Sequence, residues 1–180
     1  PTGLAVGNGI QWPQTKDLSG GITYLACKNK NSCIIDDNYG AAANINPSVY
    51  TQVVGGSGIL ISQSNSYRWT TKPGDPGCST VTGNLTCGSA YPRTAVGLNA
   101  AKTVMFWVMV EGGQPNLSGV SMYDLTTIME KIGAKTAINL DGGGSSGMVI
   151  NGSLVNKRQT NEPKERVVAN SIGIVELPAN

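Results

Sequence analysis

Hydrophobic positions change their spacing sharply between residues 103 and 140. Thr103 to Val110 is an unbroken apolar run rich in valine and aromatic residues, which predicts a strand buried on both faces. Ser121 then opens a helix, with Asp124 three residues on as a variant of the capping box. Met122, Leu125, Ile128, Met129 and Ile132 follow at helical spacing, and Gly133 supplies the stop. The two methionines read as core filler, not as a ligand set. Thr136 to Leu140 is the next apolar strand. Crossovers of this strand–helix–strand kind are almost always right-handed and leave their strands parallel. If the two strands are neighbours, their C-terminal ends share one sheet edge, and Glu111 faces the same cleft as Asp141.

Elsewhere the pattern is β-rich. Val53 to Ile61 reads as two short strands around a glycine turn. Met148 to Ile150 and Leu154 to Asn156 read as a hairpin across Asn151-Gly152. Arg166 leads into a final strand ending near Val175. Thr70 to Tyr91 is a long Gly/Pro/Ser/Thr segment, expected to be an ordered functional flap. The fold class is α+β: a mixed, largely β sheet with a βαβ unit and few helices. At 180 residues, residues 1–180 form a single domain.

Composition narrows the function. Only 13% of residues are charged and the net charge is +2, with no basic run, so a nucleic-acid partner is not expected. No apolar stretch is long enough for membrane insertion. The four cysteines fall in two close pairs, Cys27 with Cys33 and Cys78 with Cys87. Neither pair has zinc-site spacing and the chain has no histidine, so no metal or other cofactor is expected. Two local disulfides are the better reading, which places the protein in an oxidising compartment: secreted, periplasmic or at the cell surface.

The densest chemistry lies in Asn139-Leu140-Asp141-Gly142-Gly143-Gly144-Ser145-Ser146. Asp141 ends a strand, where open sheets place ligand chemistry. The glycines let backbone N–H groups approach a ligand, and two hydroxyls follow. Gly142, Gly144 and Gly147 satisfy a dinucleotide fingerprint, but a strand and an Asn-Gly turn follow where that motif needs a helix. Gly143, Ser145 and Gly147 satisfy the nucleophile-elbow pattern, yet a chain without histidine cannot assemble a Ser-His-Asp triad. Carboxylate chemistry beside an anion-friendly loop remains.

These residues resemble the phosphodiester glycosidase domain family. The matching elements are Arg93 to Gly97, the strand into Glu111-Gly112, Gly119-Val120-Ser121, Asn139 to Ser146, Asn151-Gly152, Val155-Asn156 and Arg166 to Asn170. In this order they cover roughly residues 50–176. Family members usually carry Asp-Gly-Arg where this chain has Glu111-Gly112-Gly113, so one carboxylate is longer and a cation is missing. The family domain also normally begins earlier, with an Asn-Gly-Gly-aromatic segment not found here. The chain is therefore expected to be the larger, C-terminal part of a domain, completed by an N-terminal segment or by a second copy.

The resemblance implies hydrolysis of a sugar 1-phosphodiester, as in GlcNAc-1-phosphodiesters, at the anomeric C–O bond, with a glycan phosphodiester as partner. Asp141 is the first choice of catalytic carboxylate and Glu111 the second. Arg93, Arg166, the amides of Gly142, Gly143 and Gly144, the hydroxyls of Ser145 and Ser146, and Asn170 are candidate substrate or phosphate ligands. Arg93 and Arg166 have a competing reading as structural cations paired with acids, and Asn170 as a strand residue. Trp69 is a candidate sugar platform, while Trp107 reads as core and Glu162 as a solvated surface acid. Two alternatives stay open: a non-catalytic glycan-binding or envelope-assembly module on the same fold, and a cell-wall or teichoic-acid depolymerase.

Overall fold

The computed structural model describes residues 5–11, 23–29, 31–36, 49–63, 66–71, 89–162, 164–168 and 170–175. Five strands, β1 (Ala5–Gly7), β2 (Ile10–Gln11), β3 (Thr23–Asn29), β4 (Ser32–Asp36) and β5 (Gln52–Gly56), make one antiparallel sheet in the order β2-β1-β5-β3-β4. A second sheet takes β6 (Gly58–Ser62), β7 (Tyr67–Arg68), β8 (Arg93–Leu98), β9 (Met105–Val110) and β10 (Thr136–Gly142) in the order β7-β6-β10-β8-β9. The helix α1 (Met122–Lys131), a 3-10 turn (Gly143–Ser145) and a hairpin of β11 (Val149–Ile150) and β12 (Ser153–Leu154) complete the regular elements among the described residues.

Period-two alternation sends successive side chains to opposite faces and so creates two packed interfaces. Leu25 and Ile35 of the first sheet meet Val96, Leu98 and Ile138 of the second, which binds the sheets face to face. On the far side of the second sheet, Met122, Leu125 and Met129 of α1 are wholly buried against Leu60, Ala95 and Ala137. The methionines are core, as the spacing predicts. Gly97 lets the helix end approach β8: a Cβ there would lie 2.7 Å from the Met129 methyl and 2.9 Å from Ala134 Cβ.

The helix boundaries follow the sequence signals. Ser121 caps α1, its hydroxyl accepting from the Asp124 N–H at 3.1 Å while the Asp124 carboxylate accepts from Ser121 N–H. Gly133, at φ +103, carries the chain out of the helix. Asn151 and Gly152 both adopt positive φ, as a two-residue hairpin turn requires.

Four expectations need correction. The strands flanking α1 are not neighbours: β8 lies between β9 and β10 and is antiparallel to both. The two strands therefore run parallel, but no adjacent βαβ pair forms, because β8 fills the gap that the helix crosses. Nor is β9 buried on both faces; as the last strand of its sheet, it is half-buried throughout. The two strands of Val53 to Ile61 exist but do not pair with each other. Ser57 is a corner between them, with β5 in the first sheet and β6 in the second. Finally, no strand forms among the described residues of 166–175, where Val167 is 95% and Val175 80% exposed. That segment has strand propensity, but no neighbouring ladder takes it up.

Candidate active site

A row of register partners crosses three strands at one sheet edge. Arg93 is opposite Val110 on one side and opposite Gly142 on the other. Glu111 follows Val110 directly, and Asp141 directly precedes Gly142. The two carboxylate residues thus leave the same edge on either side of Arg93, two interstrand steps apart, on the order of 10 Å between their backbones. The route to this arrangement differs from an adjacent pair, yet the shared edge is present.

A bulge aims Asp141. Between Asn139 and Gly142 the register slips, so Leu140 and Asp141 together oppose Thr94. The Thr94 hydroxyl donates to the Asp141 carbonyl. One residue earlier, the Leu140 carbonyl accepts from Asn139 Nδ2 at 2.6 Å. The carboxylate itself is exposed, with Oδ1 accepting from the Gly142 N–H at 2.8 Å. Glu111 is half-buried, and its Oε1 accepts from the Lys157 N–H at 2.7 Å.

The glycine loop is partly committed within the protein. The Gly142 amide serves Asp141, and the Gly143 amide donates to the Pro92 carbonyl at 2.9 Å. Gly143, at φ +60, opens a single 3-10 turn over Gly143–Ser145. Of the three glycine amides, Gly144 is the one with no hydrogen bond to a described residue. The Ser146 hydroxyl is buried without a partner among the described residues, whereas Ser145 is half-buried.

The cations occupy different environments. Arg93 is buried on the helix side of the sheet, where Nε donates to the Val120 carbonyl at 3.3 Å and Nη2 to that of Ser89 at 3.2 Å. Burial pushes its guanidinium below the ordinary arginine value, and the nearby Tyr91 opposes that shift. Its guanidinium also lies 5.8 Å from the Tyr91 ring centroid. Arg166 is half exposed and ion-paired with Glu162. That pair rests on the loop: a Cβ at Gly144 would be 2.5 Å from Glu162 Oε1 and 2.8 Å from Arg166 Nη2. Glu162 is therefore a site-edge carboxylate and not a solvated surface acid. Asn170 is exposed.

Sequence reasoning missed Gln159 and Tyr91. The Gln159 side chain lies over Gly113, where a Cβ would come within 2.5 Å of its Cγ, and its amide reaches towards Gly143. The absence of a side chain at position 113 was the available signal. Trp69 packs against the core beneath α1 and donates its indole N–H to the Thr71 carbonyl, so Tyr91 is the aromatic ring beside the site. Trp107 lies in the inter-sheet core. The Cys27–Cys33 disulfide is present; Cys78 and Cys87, and most of the segment 70–91, lie outside the described residues.

The family described as phosphodiester glycosidase matches residues 1–175. The chain belongs to that family. The match includes the first sheet as well as the region from residue 50 onwards. The SPbeta prophage-derived uncharacterized protein YomE of Bacillus subtilis (strain 168) is 30% identical over 121 residues, which covers 64% of this chain and 18% of that protein. Among solved structures, the fold is similar to the zebrafish N-acetylglucosamine-1-phosphodiester alpha-N-acetylglucosaminidase catalytic domain auto-inhibited by pro-peptide. The TM-score is 0.63 at 18% identity, over 92% of this chain and 54% of that one. The chain thus spans under a fifth of the prophage protein and about half of the zebrafish chain. The family and this structural neighbour are glycosidase-type hydrolases.

Proposed function

We propose that this domain hydrolyses a sugar 1-phosphodiester at the anomeric C–O bond. The observation that carries the reading is the register row, which sets Asp141 and Glu111 at one edge with Arg93 between them. Asp141 takes a proton from water as the water oxygen bonds to the anomeric carbon. The C–O bond to phosphate breaks, and its electron pair leaves on the phosphate oxygen. The products are a free sugar and a phosphate monoester. Glu111 stabilises the oxocarbenium-like charge from the other side of Arg93. Arg166, the Gly144 amide and the Ser145 and Ser146 hydroxyls hold the departing phosphate, with Asn170 at the rim. Arg93 contributes its positive charge from beneath the loop.

The Cys27–Cys33 bridge supports an oxidising compartment, hence a secreted, periplasmic or cell-surface protein. No helix among the described residues is long and apolar enough to cross a membrane.

A second reading, a glycan-binding module without turnover, draws on the Glu162 carboxylate that engages Arg166 over Gly144. Turnover of a GlcNAc-1-phosphodiester separates the two. Asp141→Asn should cut turnover by on the order of 10²–10⁴ with the fold intact, as loss of a general base does. Unchanged turnover in the folded variant would remove Asp141 from the chemistry. Glycan binding with no turnover in the parent protein would favour the module.

A further inference from the structure

Two hollows meet at Gln159, and their linings differ in kind. One is lined by Lys157, Arg158, Glu162 and Glu165, together with Leu154 and Asn156. The other, about 490 Å³, contains Tyr91, Gly113, Gln114, Ser118 and Thr160 and no acidic or basic side chain. That volume lies within the range of small-molecule sites. We propose that this neutral hollow is the subsite for the sugar ring, with Tyr91 as its stacking platform and Gln159 as its hydrogen-bonding amide.

The backbone holds both groups in place. Tyr91 and Val120 exchange N–H···O=C bonds of 3.2 and 3.0 Å, and Tyr91 is still 47% exposed. An anchored backbone with a half-open ring offers an aromatic face at little ordering cost. The pyranose C–H face complements such a ring, because the electron-rich π face attracts its polarised hydrogens. Gln159 is equally fixed. The Thr160 N–H donates to the Gly113 carbonyl at 3.1 Å, and the Glu162 N–H to the Gln159 carbonyl at 3.0 Å.

The Gln159 amide makes no hydrogen bond with another described residue, although the residue is half-buried. It carries two donors and an acceptor. A sugar hydroxyl or acylamino group, which both donates and accepts, satisfies that set without charge. Phosphate would satisfy only the donors and is better served at the glycine loop, where Arg166 lies against Gly144. Gly113, at φ +68, is what makes room: any side chain there would strike Gln159.

The location also suits the chemistry. Gln159 Nε2 is 3.7 Å from where a Gly143 Cβ would be, Gly113 follows Glu111 by two residues, and Tyr91 precedes Arg93 by two. A ring seated here borders the row that contains the two carboxylates, a placement whose catalytic meaning rests on the proposed hydrolysis.

The test measures binding, not turnover. The protein is titrated by calorimetry with methyl α-N-acetylglucosaminide and, separately, with inorganic phosphate. Tyr91→Ala and Gln159→Ala should each weaken the glycoside about tenfold, the change one good contact is worth, and leave phosphate affinity unchanged. Tyr91→Phe should retain glycoside affinity, since the ring remains, and its thermal midpoint gives the reference for intact folding. Gln159→Glu keeps the volume and supplies a second, folded variant, which should weaken the glycoside by removing two donors. Glycoside affinity unchanged in the Ala variants, equal losses for glycoside and phosphate, or no glycoside binding by the parent protein would each overturn the subsite. No turnover of a GlcNAc-1-phosphodiester by the parent protein, with impaired glycoside binding in the Tyr91 and Gln159 variants, would instead sink the hydrolytic reading and leave the subsite standing.

Discussion

The Ser57 hydroxyl donates a 2.8 Å hydrogen bond to the carbonyl of Leu140, the residue immediately before Asp141. Ser57 is the corner where the chain crosses from one sheet to the other, so this bond ties the crossover to the candidate catalytic strand. The tie is reciprocal: Ser57 N–H donates to the Asn139 carbonyl at 2.9 Å, and Asn139 Nδ2 donates to Ser57 Oγ at 2.6 Å. The backbone preceding Asp141 is thereby fixed from outside its own strand.

Asn139 is 1% exposed and has the larger role in this clasp. Asn139→Ala removes the buried donor shared by Ser57 and Leu140, and should destabilise the fold by about 1–3 kcal/mol. Urea unfolding reads that change. Ser57→Ala, at the exposed end, should cost less stability yet lower kcat with little effect on KM, because it loosens the placement of Asp141 and not substrate binding. A Ser57→Ala protein with parental kcat would show that the clasp serves folding alone.

The Glu162–Arg166 pair over Gly144 predicts opposite effects from its two members. Arg166→Ala should weaken phosphodiester binding by the worth of a charge-assisted contact, about 1.5–3 kcal/mol, and leave a neutral glycoside nearly unaffected. Glu162→Gln releases Arg166 from its internal carboxylate and should tighten phosphate binding several-fold at low ionic strength. Weaker phosphate binding in Glu162→Gln would mean that the carboxylate orients Arg166 for its ligand instead of competing with it.

Much of this was legible in the residues because the signals were local. The Ser121–Asp124 box, the Gly133 stop, the Asn151-Gly152 turn and the spacing of Met122, Leu125 and Met129 each depend on neighbours within a turn or two. The order of strands was not legible. Nothing local states that β8 inserts between β9 and β10, or that Val53 to Ile61 divides between two sheets, since ladder partners lie tens of residues away. Arg166 to Val175 misled for the same reason, because strand propensity states a preference and not the presence of a pairing edge. At the site, Asp141 and the glycine loop stood out by composition. Gln159, Glu162 and Ser57 did not, because ordinary polar residues acquire meaning only from what they are folded against.

Gly97 offers a test of the helix–sheet interface. A Cβ there would approach Met129 Cε at 2.7 Å, Ala134 Cβ at 2.9 Å and the Thr136 carbonyl at 3.0 Å. The methionine end can swing aside, but Ala134 and the strand backbone cannot do so cheaply. Gly97→Ala should therefore destabilise by about 1–3 kcal/mol through overpacking. A parental denaturation midpoint would show that α1 slides over β8 without cost.

The disulfide prediction joins stability to location. Cys27 and Cys33 are directly opposite in the β3–β4 ladder, with Cα atoms 4.1 Å apart, and Cys33 packs with Leu25 and Ile35 against the second sheet. Closing this short loop should contribute about 2 kcal/mol in the chain-entropy model. The second expected pair complicates a simple reduction experiment, so the measurement uses a Cys78→Ser/Cys87→Ser background. Urea midpoints are then compared with and without reductant. The oxidised form should unfold at higher denaturant with at most a slightly smaller slope, since closing so short a loop removes little surface from the unfolded chain. In the parental chain, non-reducing peptide mapping should recover Cys27 with Cys33 and Cys78 with Cys87. A Cys27–Cys78 peptide would overturn the local pairing, and four free thiols in protein from its native source would overturn the oxidising compartment as well.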